Sequence, residues 1–225
     1  MYIGVIATLI WVTSICFSRI YLGMHSVLDI IFGLILTAGL MIVLVPVIDF
    51  LDGFLQKNML APIFIISIPI MLIVFYPKTE KWTPTRGDTA TIISVFVGVQ
   101  LGAWLNYQLG NMQLDPLHGQ TSQIVWPTLP MFGLILARTI IGLCVVAVTE
   151  VLGKLISFSL LCKMFGKNPK ELKSSEDSLK NKTKIVIDLS YKFITYGLIG
   201  FNAQYLIPNL FRFLDINRPQ FYTEI

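Results

Sequence analysis

The sequence predicts an all-α fold, a polytopic bundle of transmembrane helices with about five to seven membrane segments. Of its 225 residues, 55% are hydrophobic and only 13% are charged, and the mean hydropathy is +0.73. Soluble domains carry about 25% charged residues, so this chain has about half of the charge that usually covers a water-facing surface. The apolar residues also form long blocks, not the repeat of a one-sided helix.

Five or six hydrophobic segments account for most of the chain. They cover residues 1–17, 26–48, 60–76, 89–109, 131–161 and 193–213. Pro69 predicts a kink in the third segment, and Gly98 and Gly102 in the fourth suit close helix packing. The fifth segment is long enough either to tilt strongly or to break into two passes. The last is less apolar and is expected to pack inside the bundle.

Composition and charge argue against several function classes. The three cysteines, Cys16, Cys144 and Cys162, are odd in number and widely spaced, which indicates neither a disulfide framework nor a zinc site. The net charge of +4 is small and no basic stripe with interleaved aromatic residues occurs, so a nucleic acid partner is not expected. The start of the chain lacks the basic leader of a signal peptide, which is typical of a signal anchor or of a chain without its front part.

The most charged stretch, residues 163–188, bears on topology. It holds seven lysines, and the positive-inside rule places such a loop in the cytosol. If every hydrophobic segment crosses once, this loop and residues 18–24 lie on the same side of the membrane. If the fifth segment crosses twice, they lie on opposite sides. The sequence leaves both alternatives open.

One constellation between the first two segments has the parts for phosphate chemistry. Ser18 and Arg19 end the first segment, and Gly23 permits a tight turn before a helix that is expected to begin near His25. His25 and Asp29 would then share a helix face. Such a carboxylate can orient an imidazole and stabilise its cationic form. The guanidinium can grip two phosphate oxygens, and the helix N-terminus adds donors.

Each of these residues also has an ordinary structural explanation. A single His or Asp at a helix entrance is most often a cap or an interfacial residue, and Arg19 could be a flanking charge. The combination of Arg19, His25 and Asp29 at this spacing, at a membrane boundary, favours the functional interpretation.

The pattern Ser-Arg, five residues, His, three residues, Asp resembles the third signature motif of the type 2 phosphatidic acid phosphatase superfamily. The surrounding stretch SRIYLGMHSVLDIIFG resembles the sphingosine-1-phosphate phosphatase branch, as do RGDTA at 86–90 and ITYG at 194–197. The resemblance implies that His25 is a nucleophile that forms a phosphohistidine and that Asp29 orients it. It implies that Arg19 binds phosphate, with a hydrogen bond from Ser18, and that no metal or other cofactor takes part.

Two further family motifs are missing from these 225 residues. The family also uses a Lys, six residues, Arg-Pro motif that holds phosphate and a Pro-Ser-Gly-His motif whose histidine protonates the leaving alcohol. The only other histidine here is His118. We therefore interpret residues 1–48 as the C-terminal part of a lipid phosphatase core, with the motif at 18–29. Residues 49–225 are interpreted as additional transmembrane helices with the charged loop 163–188.

The resemblance implies a lipid phosphate phosphatase that hydrolyses the monoester of sphingosine-1-phosphate and related sphingoid base phosphates. It implies a multi-pass protein of the endoplasmic reticulum membrane, with the reaction centre facing the lumen. The missing motifs favour an alternative, a catalytically inactive short form that binds lipid or associates with full-length copies. A transporter or channel is a weaker alternative, since no two halves of the chain resemble each other.

Overall fold

A computed structural model of the chain describes residues 2–23, 25–77, 85–111, 129–168 and 182–216. Every element in these ranges is helical, which confirms the predicted all-α class. The helices are α1 (Tyr2–Tyr21), α2 (Val27–Lys57), α3 (Ala61–Val74), α4 (Thr85–Gln108), α5 (Leu129–Met164), α6 (Lys182–Phe201) and α7 (Ile207–Phe213). A π-helical segment, Asn202–Leu206, joins α6 to α7.

Several helices are longer than their hydrophobic segments. Helix α2 continues to Lys57, so most of the interval between the second and third hydrophobic segments, residues 49–59, is helical. The last helical run starts at Lys182 instead of residue 193. Polar residues at helix ends carry no hydropathy signal, although the helical hydrogen-bond ladder includes them. Helix α5 is a single element of 36 residues, so the fifth segment does not break into two passes.

Four helices are long and apolar enough to cross a membrane: α1, α2, α4 and α5. Helix α3 is apolar but shorter, with 14 residues. The chain is therefore a multi-pass membrane protein. It divides into two compact units, Met1–Gly53 and Phe54–Ile225.

The first unit consists of α1 and most of α2. Helix α2 has no buried residue along its described length, and from residue 30 to residue 48 its side chains are apolar on all faces apart from Thr37. A helix that is hydrophobic all round needs a non-aqueous environment. Lipid contact supplies it, as expected for a membrane-spanning helix.

In the second unit, α4 and α6 approach each other most closely. A Cβ at Gly98 would collide with the carbonyl oxygen of Gly197, and one at Gly200 would collide with that of Val95. At Gly102, a Cβ would lie 2.9 Å from the Cβ of Gln204. The close packing predicted from Gly98 and Gly102 is confirmed. In lipid, such contact is a main source of helix association, because burial away from water contributes little.

Two asparagine side chains in this unit donate hydrogen bonds to neighbouring helical segments. Asn106 is fully buried, and its Nδ2 donates to the carbonyl oxygen of Gln204 at 2.9 Å. Asn202 Nδ2 donates to Thr149 Oγ1, also at 2.9 Å. Gln204 and Asn202 lie in the π-helical segment, where the wider turn displaces backbone carbonyls from the regular ladder. The side chain of Asn106 satisfies one such carbonyl.

Candidate active site

The end of α1 carries the first half of the motif. Ser18 and Arg19 lie in its last turns and are exposed. The Ser18 hydroxyl donates to the carbonyl oxygen of Ile15 at 2.8 Å. The helix closes at Gly23, whose φ of +64° lies in the left-handed region, and the Gly23 amide donates to the carbonyl of Ile20 at 2.9 Å. The tight turn predicted at Gly23 is confirmed, and its conformation explains why glycine suits the position.

The start of α2 is closed by a reciprocal pair of hydrogen bonds between Ser26 and Asp29. The Ser26 amide donates to Asp29 Oδ2 at 2.8 Å, and the Asp29 amide donates to Ser26 Oγ at 3.2 Å. This arrangement is a capping box, in which two amides that lack helical partners are satisfied by each other's side chains. These two bonds fix the orientation of the Asp29 side chain at the start of α2.

His25 lies in the turn before α2, not on the helix. The helix begins at Val27, so the prediction that His25 and Asp29 stack on one helix face is wrong. The physical reason is the Ser26 cap, because a capping residue has non-helical backbone and stops the helix there. The two residues nevertheless interact electrostatically. A carboxylate has two oxygens, so the bond from Ser26 leaves Asp29 the capacity to accept another hydrogen bond.

The structure thus brings all four predicted residues into one short stretch of exposed chain. Ser18 and Arg19 end α1, His25 occupies the turn, and Asp29 lies in the first turn of α2. The N-terminal end of α2 adds the positive end of its dipole next to His25. This exposed stretch therefore carries an imidazole, a carboxylate, a guanidinium and a positive helix end, which are the parts needed to attract a phosphate and attack it.

Ser26 is the residue of this stretch that sequence reasoning missed. Its signal was present, because Ser-x-x-Asp before an apolar run is a capping box pattern. Its partner in the cap, Asp29, is the same carboxylate that the sequence predicts to orient His25. The two roles are compatible, since the cap holds Asp29 in place.

Further residues with the chemistry to bind phosphate or to donate a proton include His118, Lys78, Lys81 and Arg86. His118, Lys78 and Lys81 lie outside the described residues. Arg86 is described, and its Nη2 donates to the carbonyl oxygen of Ile73 at 3.2 Å, at the end of α3. Arg86 Nη2 therefore donates its hydrogen bond to the C-terminal end of α3.

Comparison with known proteins identifies relatives along nearly the whole chain. The chain is 35% identical to sphingosine-1-phosphate phosphatase 1 of Rattus norvegicus over 215 residues, which are 95% of this chain and 48% of the relative. It is 31% identical to sphingosine-1-phosphate phosphatase 2 of Mus musculus over 217 residues, 95% of this chain and 59% of the relative.

A more distant relative is lipid phosphate phosphatase delta of Arabidopsis thaliana, 24% identical over 242 residues, with 96% of this chain and 56% of the relative covered. No family model and no solved structure matches. The chain spans about half the length of the curated relatives that it matches. The alignments extend over 95% of the chain's own length, so the chain is a homologue of the sphingosine-1-phosphate phosphatases.

Proposed function

We propose that the protein is a lipid phosphate phosphatase that hydrolyses the phosphate monoester of sphingosine-1-phosphate and related sphingoid base phosphates. The observation that carries the proposal is the turn between α1 and α2, which gathers Arg19, His25 and Asp29 into one exposed stretch. Relatives named sphingosine-1-phosphate phosphatases support the substrate class. A relative in Schizosaccharomyces pombe, 26% identical over 158 residues, is named a dihydrosphingosine 1-phosphate phosphatase.

In the proposed reaction, a nitrogen of His25 attacks the phosphorus atom. The nitrogen–phosphorus bond forms as the ester phosphorus–oxygen bond breaks, and the lipid leaves as its alcohol after gaining a proton. Water then attacks the phosphohistidine, which releases inorganic phosphate and restores His25. Asp29 stabilises the positive charge on the ring, and Arg19 binds the phosphate oxygens. Ser18 adds a hydrogen bond to the phosphate when its hydroxyl turns away from the carbonyl oxygen of Ile15.

The proton for the leaving alcohol is the step for which this chain has no assigned residue. The family assigns it to the histidine of a Pro-Ser-Gly-His motif, which the 225 residues lack. General acid catalysis contributes about 100- to 10,000-fold to a rate. We therefore expect this chain alone to be slow, with water as the proton source.

Phosphate release from sphingosine-1-phosphate by the purified chain tests the proposal. We expect release above the enzyme-free blank and an acid-labile phosphoenzyme, both abolished by His25→Ala. The matched control is His118→Ala, which removes the only other histidine and should leave both signals unchanged. Equal release from the unaltered chain and from His25→Ala would contradict catalysis by this chain.

An alternative function is a catalytically inactive form that binds lipid or associates with full-length family members. This alternative predicts no phosphoenzyme in any variant. It also predicts that the chain co-purifies with a tagged full-length relative from detergent extracts. A phosphoenzyme on His25 would exclude it.

We also propose the endoplasmic reticulum as the membrane in which the protein resides. The support is its family resemblance together with four helices suited to crossing a bilayer. Fractionation of cell membranes checks this location, with co-sedimentation of the chain and a marker of that organelle as the expected result. Recovery with plasma membrane instead would contradict it.

A further inference from the structure

One end of the second unit collects six of the described cations. Five lie at or next to the ends of three helices, and the sixth, Lys192, lies in the middle of α6 beside the start of α4. We call this surface the basic end. Its members are Arg86, Lys163, Lys167, Lys182, Lys184 and Lys192. The fold brings them together because α4 and α6 begin there and α5 ends there. Cys162 near the end of α5 packs against Ile187 near the start of α6, and both are fully buried.

Lys192, in α6, lies against the start of α4. Its ammonium occupies the space that a side chain at residue 87 would fill, since a Cβ at Gly87 would lie 2.6 Å from Lys192 Nζ. Asp188 Oδ2 pairs with the same ammonium at 3.0 Å. The absence of a side chain at Gly87 therefore sets the position of this positive charge.

Arg86 is held at the same end by its bond to the carbonyl oxygen of Ile73. Its Nε is buried and has no hydrogen-bond partner in the described part of the chain. A guanidinium has five donors, so one bond to a carbonyl leaves most of them for other acceptors. Among the described residues, only two carboxylates, Asp88 and Asp188, lie near these six cations, so positive charge is in excess. The starts of α4 and α6 each add the positive end of a helix dipole.

The location of this charge indicates what it binds. Helices α4 and α5 are long and apolar enough to cross the bilayer, so their ends lie at the level of the lipid headgroups. Clusters of four to eight lysines and arginines beside a transmembrane helix attract anionic lipids. We propose that the basic end is a binding site for the phosphate-bearing headgroup of an anionic phospholipid. The site uses none of Ser18, Arg19, His25 or Asp29, so the proposal does not depend on phosphatase activity.

Lipid titration of the purified chain in neutral detergent tests the site. The probes are dioctanoyl phosphatidylglycerol, dioctanoyl phosphatidylcholine and inorganic phosphate, with the shift in Tm and lipid adducts in native mass spectra as readouts. Phosphatidylglycerol is a phosphodiester, not the monoester that the proposed reaction hydrolyses. We expect saturable binding of phosphatidylglycerol alone, unchanged in a His25→Ala background. Equal binding of phosphatidylcholine or of inorganic phosphate would overturn the proposal.

Charge variants locate the bound lipid. The double variant that combines Lys184→Gln and Lys192→Gln should bind phosphatidylglycerol more weakly, by about fivefold for each charge removed. The matched control, Lys57→Gln with Arg212→Gln, removes two cations outside the basic end and should bind as the unaltered chain does. Equal weakening by the two double variants would show diffuse attraction and overturn the assignment.

Gly87→Ala tests whether the position of the Lys192 ammonium matters, or only the number of positive charges. It keeps every cation but displaces the Lys192 ammonium, which is the flexible end of its side chain, so the helices need not move. We expect an unchanged Tm without lipid and a several-fold loss of phosphatidylglycerol binding. Unchanged binding by Gly87→Ala would mean that the position of Lys192 is irrelevant, which contradicts the proposal.

Discussion

The single residue Ser26 affects both of its functional neighbours, His25 and Asp29. By capping α2 it keeps His25 out of the helix, and by donating its amide to Asp29 it holds that carboxylate beside the turn. The sequence predicted the identity of the motif residues and the turn at Gly23. It did not predict the helix start, because helix periodicity alone cannot distinguish a start at His25 from one two residues later.

Replacement of this cap tests its contribution. Ser26→Ala removes the hydroxyl acceptor for the Asp29 amide, which typically costs about 1 kcal/mol of helix stability. We expect faster hydrogen exchange at the Asp29 amide and, where phosphate release is measurable, a lower kcat with little change in KM.

Ser14→Ala is the matched control for this experiment. The Ser14 hydroxyl bonds to the carbonyl of Ile10 within α1 and caps no helix start. It should leave exchange at Asp29 unaltered. The same exchange rate in Ser26→Ala as in the unaltered chain would contradict the capping role.

At the scale of the helices, the close contact between α4 and α6 is the best-defined feature of the second unit. Glycines on both helices let their backbones approach, and Asn106 bonds to the displaced carbonyl of Gln204 where the close contact ends. Small residues in the sequence predicted close packing for α4. The partner helix and the π-helical segment were not predicted, because both depend on which faces meet in three dimensions.

A methyl group in this contact should be costly. Gly98→Ala places a Cβ against the carbonyl oxygen of Gly197, which is backbone and cannot move aside alone. Overpacking typically costs about 1–3 kcal/mol, so we expect a lower Tm in detergent. Gly133→Ala in α5 is the control, since a Cβ there meets no other atom within 4 Å. An equal Tm for the two variants would contradict the proposed tight contact.

At the scale of the whole molecule, the order of the helices predicts which ends of the helices share a side of the membrane. Helix α5 is unbroken. The shorter α3 runs beside α4 in the opposite direction, since Arg86 bonds to Ile73 and Trp104 bonds to the carbonyl of Asn58. Its 14 residues extend about 21 Å, and we predict that α3 also crosses, with some local thinning of the bilayer. On that prediction, each helix from α2 to α5 crosses once.

This count predicts that Leu22 and Lys167 face the same side of the membrane. In a chain with its three cysteines replaced by serine, Leu22→Cys and Lys167→Cys should react alike with a membrane-impermeant maleimide on sealed microsomes. Labelling of both would place them in the cytosol, as the lysines favour. Protection of both would place them in the lumen, as the family resemblance implies. Labelling of one alone would contradict the count.

The sequence by itself determined the membrane class and the all-α fold, since both depend on local composition, and its residue order carries the similarity to the sphingosine-1-phosphate phosphatases. The structure decided that α5 is continuous and that His25 lies before α2, where the Ser26 capping pattern already marks the helix start. Only the tertiary structure placed Lys192 in the space beside Gly87. That placement depends on contact between residues far apart in the chain, which neither hydropathy nor spacing encodes.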